Sequence, residues 1–272
     1  MKLIRLSITL LGLIFTTLAF SQISHGGSPY FLQNSLLRAA SKPFFIEMPS
    51  FNLDSLLRGE GDKGENMRGG YKFAHKFLTD ISINDAVKTV LEDGTVVKQI
   101  GIRSAGAYSI NLLLRDFDIP KGGKLFIFSY DRSHVLGSFD HRNNNPEKVL
   151  PIQPVTGDAV IIEYSEPSNT SFSGQFTVSE VNHDYRDIFR VEPKPDHNTY
   201  YNCMPDVFCE NVIKETIRST VLLIFNGNVF CSGSIITDAS AGGEPYLLTA
   251  AHCFGTNSLE YPKDKDFHIQ IC

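Results

Sequence analysis

Cys231-Ser232-Gly233-Ser234-Ile235-Ile236, a polar gap, and then Tyr246-Leu247-Leu248-Thr249-Ala250-Ala251-His252-Cys253 form the stretch around which the chain can be read. Two short apolar runs flank a loop, Thr237 to Pro245, rich in Asp, Ser and Gly, so the pattern predicts two neighbouring strands. One Cys opens the first strand. Another follows the second strand, directly after a His. A disulfide between them would pin the His-bearing turn to the adjacent strand, and Ala250 and Ala251 leave room around the ring. A general base needs a ring fixed in this way, because it must lie within hydrogen-bond reach of the group it deprotonates. The same residues would also suit a core histidine beside a structural disulfide in another extracellular β protein.

Composition frames that stretch. A chain of 272 residues suggests about two domains, and 42% hydrophobic residues can fill a sizeable core. A charged fraction of 20% and a net charge of −5 give no electrostatic footprint for nucleic acid. Trp is absent, but 20 Phe and 10 Tyr suit β structure.

Residues 1–21 read as a signal peptide. Lys2 and Arg5 supply a positive start, Leu6 to Phe20 is apolar apart from Ser and Thr, and Ala19-Phe20-Ser21 places small residues ahead of a cut before Gln22. The alternative is a retained membrane anchor, for which the run is short against the roughly 20 residues a span requires. After removal of the leader, no membrane segment is expected. All five cysteines lie at or beyond residue 203. In a secreted chain this asymmetry marks a disulfide-containing C-terminal part behind a part built without cysteine. Cys203 and Cys209 are too far apart for a zinc pair, and neither a metal nor a cofactor is expected.

Residues 22–70 resist assignment. Phe44-Phe45-Ile46 could form a strand and Asp54 to Arg58 a helical turn, while Gly59 to Gly70 reads as a flexible connection. Residues 71–190 read as one all-β domain. Val87 to Leu91 and Thr95 to Ile100 flank Asp93-Gly94, a strong hairpin signal. Tyr108 to Leu114, Lys124 to Tyr130, Val135 to Phe139, Ala159 to Tyr164 and Gln175 to Val181 add strands, and turns about every 10 residues favour a β-sandwich. Within it His134, His141, His183, Asp131 and Asp140 lack ligand spacing and read as turn or surface residues. Asn169-Thr170-Ser171 fits a glycosylation sequon. Val191-Glu192-Pro193-Lys194-Pro195-Asp196 opens a polar linker, 191–202, before the C-terminal part, 203–272.

The residues 231–234 and 248–253 resemble the histidine motif of the chymotrypsin-like serine proteases, which carry a Cys-x-Gly-Ser strand and a Leu-Thr-Ala-Ala-His-Cys strand end. The usual trypsin opening, Ile-Val-Gly-Gly, is absent. Instead Cys203-Met204-Pro205-Asp206-Val207-Phe208-Cys209 precedes Arg218-Ser219-Thr220-Val221, which looks like the lysyl endopeptidase branch. The resemblance implies an all-β chain. A β-sandwich prosegment would precede the first, incomplete part of an antiparallel chymotrypsin-like barrel. It implies a secreted endopeptidase acting on polypeptides, with His252 as catalytic base. It also implies that Cys209 pairs with Cys272 and that Cys203 is left unpaired.

The remaining chemistry of that family is not found. Asp264 and Asp266 follow His252 too closely to be the family's Asp, and Gly-Asp-Ser-Gly does not occur. Ser232 and Ser234 sit in the motif strand and read as structural. The chain is therefore expected to be an N-terminal fragment, inactive alone. The competing expectation is a non-catalytic secreted sandwich, a binding or adhesion module with a degenerate protease remnant. An odd cysteine count favours the fragment, because a stand-alone secreted chain more often carries an even set.

Overall fold

A computed structural model describes residues 24–34, 43–60, 71–190, 219–225, 228–237, 245–250, 253 and 270–271. The expected leader, residues 1–21, and the expected linker, 191–202, lie outside them. Among the described residues, strands make up 53% and no sheet closes on itself, so the all-β class expected from the sequence holds.

The Asp93-Gly94 signal produces a hairpin between β4 (Val87–Val90) and β5 (Val96–Arg103). Gly94 takes φ +82°, a conformation that costs little without a Cβ. The Leu91 amide donates to the Thr95 carbonyl at 2.8 Å, and the Thr95 amide donates to Asp93 Oδ1 at 2.9 Å. The outer edge of β5 also takes β1 (Phe45–Glu47) as a parallel partner. Its other edge pairs along its full length with β10 (Ala159–Glu166). With β7 (Lys124–Ser129) and β8 (Val135–Phe139) these strands form a six-stranded sheet of order β1-β5-β10-β7-β8, β4 sharing the edge with β1. A four-stranded sheet faces it, with β3 (Ala74–Ser82), β11 (Gln175–Asp184), β6 (Ser109–Asp118) and β9 (Leu150–Thr156) in that order.

Period-two alternation fills the space between the sheets. Val160, Ile162 and Tyr164 of β10, with Leu125 and Ile127 of β7, meet Ile110, Leu112, Leu114, Ile152, Val178 and Val181 from the opposite sheet in one buried cluster. The intervening residues of β10 and β7 are buried as well, because the N-terminal segment crosses the outer face. Phe31, in the short helix α1 (Tyr30–Gln33), packs with Phe126, Phe128 and Ile161. The amides of Tyr30 and Phe31 donate to Glu163 at 2.6 and 2.9 Å, and Gln99 Nε2 donates to the same carboxylate at 2.7 Å. Burial pushes the Glu163 carboxyl above its ordinary range, opposed by these three donors. Further along, α2 (Leu53–Glu60) begins where Asn52 Oδ1 accepts from the Ser55 amide at 2.8 Å, an N-cap of ordinary chemistry. The segment that resisted assignment thus contributes an ordered crossing, a strand and a helix to the sandwich.

β3 and β9 were not expected from the sequence. β9 contains Pro151 and Pro154, which cannot donate to a ladder, and it lies at a sheet edge where that lack is tolerated.

Among the described residues the C-terminal sheet has five strands. β12 (Thr220–Phe225), β13 (Asn228–Thr237), β14 (Pro245–Thr249) and β15 (Gln270–Ile271) follow the order β14-β13-β12-β15, and β2 (Tyr71–Lys72) adds to β13.

Candidate active-site hairpin

The two expected strands are present as β13 and β14, antiparallel, with Gly233 opposite Thr249 and Ile236 opposite Tyr246. Their close approach explains Gly233. A Cβ there would lie 2.8 Å from Leu247 Cδ1 and 3.0 Å from the Leu248 carbonyl oxygen, so a larger residue requires the Leu247 side chain to move and the Leu248 carbonyl to give by a few tenths of an ångström. On its other side β13 pairs with β12, Val221 opposite Gly233 and Leu223 opposite Cys231. The Ile235 amide donates to the Ser219 carbonyl at 2.7 Å, which extends the pairing to the start of the Ser219-Thr220-Val221 run.

Beyond β14 the chain turns, the Cys253 amide donating to the Ala250 carbonyl at 3.0 Å. Cys253 is buried and forms a disulfide with Cys231, with Cα atoms 5.9 Å apart. The bridge therefore ties the turn that follows β14 to the middle of β13. Closing a loop of this length removes about 3 kcal/mol of unfolded-chain freedom. Thr249, not singled out from the sequence, adds a second tie. Its hydroxyl donates to the Ser232 carbonyl at 2.8 Å and lies 3.4 Å from Cys253 Sγ. A Thr immediately before the small residues was the available signal.

His252 itself lies outside the described residues, as do Cys203, Cys209, Cys272, Asp264 and Asp266. The Cys209–Cys272 pairing and the unpaired Cys203 therefore fall on residues without a described position. Ser232 and Ser234 belong to β13, in ladder positions opposite Leu222 and Thr220, and neither occupies a turn.

The titratable residues of the sandwich do not converge on one site. Asp131 sits in the β7–β8 turn, where Ser129 and Ser133 donate to it and lower its pKa. Asp140 caps a short turn and holds Arg142 at 2.6 Å, with His141 beside it at 3.6 Å. His134 Nδ1 accepts from the Thr156 amide at 3.3 Å. His183 differs from the expectation of a turn or surface residue. It is a buried member of β11, 2.7 Å from Ser104 Oγ, with Phe51 edge-on to its ring and stacked on His75. Alternation on β11 turns it inward beneath that aromatic cover. Asn169 lies in an exposed turn between β10 and β11.

The model of the lysyl endopeptidase C-terminal domain family matches residues 197–268. That stretch includes β12, β13, β14 and the disulfide, and the match supports a lysyl endopeptidase-related protease. Among the described residues no helix is long and apolar enough to cross a membrane.

Proposed function

We propose that the chain belongs to a secreted serine-type endopeptidase precursor, trypsin-like and with the lysine preference of the branch it resembles. Residues 203–272 belong to its protease domain, and residues 71–190 form its prosegment. The Cys231–Cys253 disulfide, inside the stretch matched to lysyl endopeptidases, carries this reading. Export past the leader at 1–21 accounts for an oxidised cysteine pair, because disulfides persist outside the reducing cytosol.

In this reading His252 is general base and then general acid. An imidazole of ordinary pKa, about 6.5, can take a proton from a serine hydroxyl and return it to a leaving amine near neutral pH. An Asp must hold the ring's tautomer and a Ser must attack. The 272 residues offer neither in the family's pattern, so residues 22–272 alone are expected to cleave no peptide above background.

The test has two arms. Culture fluid of cells expressing the native gene should cleave lysyl amide substrates, and His252→Ala should abolish that cleavage. The same substrates given to purified residues 22–272 should remain intact. Secretion of a product without lysyl cleavage would favour the non-catalytic binding module. Turnover by residues 22–272 that His252→Ala removes would show that a complete triad lies within them.

A further inference from the structure

β2 belongs to neither sheet of the sandwich. Its strand partner is β13, with Lys72 opposite Asn228 and Tyr71 opposite Val229. It lies along the part of the β13 edge that precedes the β14 pairing, which starts at Gly233. The next residue, Phe73, is 1% exposed, yet takes no part in the main sandwich core. Its apolar neighbours are Ala74 and Ile188 from the sandwich side, with Leu222 and Ile224 from β12.

The sandwich holds this face in shape with a buried carboxylate. Asp184, 1% exposed, accepts from Ser109 Oγ at 2.7 Å, from the Arg186 amide at 2.8 Å and from the Ile188 amide at 3.0 Å. These bonds fix the turn that carries Ile188. The Tyr185 amide donates to the Phe73 carbonyl at 3.0 Å, so the strand leading out of β2 is fastened to the same turn. Backbone pairing and a preformed apolar seat therefore converge on one partner.

We infer that β2, Phe73 and the Asp184-tied turn are a docking surface for the β12–β13 hairpin, and that the two parts stay associated after the chain between them is cut. The partner is a named segment of the same chain, recognised by strand addition together with apolar contact. Release of the hairpin would expose an aromatic side chain and leave a strand without its ladder. Every cysteine lies beyond residue 202, so no disulfide can hold the two pieces once the chain is severed before that point. The inference deepens the proposed division into sandwich and protease segment. Its test reads association instead of hydrolysis, so either can fail alone.

The experiment places a specific protease site within residues 191–202 of the otherwise intact chain and follows the cut protein by size-exclusion chromatography. The two pieces should elute together. Phe73→Asp should separate them, and Leu78→Asp, on the exposed side of β3 at 77% exposure, should not. Ile188→Asp, on the turn, should separate them in the same way and decides the matter if Phe73→Asp proves poorly folded. In the uncut chain, amide exchange at residues 228 and 229 should quicken at least tenfold in Phe73→Asp. Separation of the unsubstituted pieces overturns the inference, as does co-elution that neither Asp substitution disturbs.

Discussion

The sandwich and the C-terminal sheet are both antiparallel assemblies, yet they are held together differently. In the sandwich, β10 is buried along its whole length, because one face meets the opposing sheet and the other lies under the N-terminal crossing. No cysteine occurs in that part of the chain. In the C-terminal sheet, Ile236, Tyr246 and Leu248 are 43, 49 and 59% exposed, and the strands are secured by a disulfide, a threonine and contact with the sandwich. A region that buries enough apolar surface needs no covalent tie. A sheet with one face open gains more from restricting its unfolded chain.

Substitutions on each side can break that contrast. The largest loss should come from Phe117→Ala, a fully buried residue of the sandwich core. Removal of such a ring costs roughly 3–5 kcal/mol, and a urea titration followed by far-ultraviolet circular dichroism should show it as a lower midpoint. Cys231→Ser should cost about 3 kcal/mol, localised to the hairpin. Exchange of amides in β13 and β14 should quicken while the sandwich transition stays in place. A sandwich transition that shifted equally would make the two regions one cooperative unit and end the comparison.

The smallest effect should be a dependence on pH. Burial lowers the His183 pKa, opposed by Asp184 and Asp158 and aided by His75. Burial, with Lys72 second, lowers that of His75. Both folded values therefore lie below the unfolded value of about 6.5. The unfolded chain takes up protons first as the medium acidifies, so this stabilisation is complete above about pH 6.5 and is lost as pH falls from there towards the folded values. Melting curves at pH 7.5 and 5.5 should show the decline, and His183→Gln should reduce it. An unchanged decline in that variant would assign the effect to other groups.

Much of this was legible in advance where local chemistry and final structure agree. Asp93-Gly94 specified its turn by itself, and the Cys-x-Gly-Ser and Leu-Thr-Ala-Ala-His-Cys runs located the hairpin and its disulfide. β9 was hidden because its two prolines argue against a strand unless its place at an edge is known. β3 was hidden because polar residues such as Lys76, Thr79 and Asp80 interrupt its apolar positions. The pairing of β2 with β13 and the burial of Glu163 depend on residues far away in sequence, and no short window contains them. His183 was misread for the same reason, since its cover comes from Phe51.

The Glu163 tie sets an order of events during synthesis. The amides of Tyr30 and Phe31 bind a carboxylate 133 and 132 positions later in the chain. At ribosomal speeds of about 5–20 residues per second, on the order of ten seconds separates the making of the two partners. The first ordered segment of the sandwich must wait through that interval, and so must the aromatic face that Phe31 shares with Phe126 and Phe128. Completion of β10 therefore acts as a timer for the fold, because closure of the outer face cannot precede the arrival of its anchoring acid.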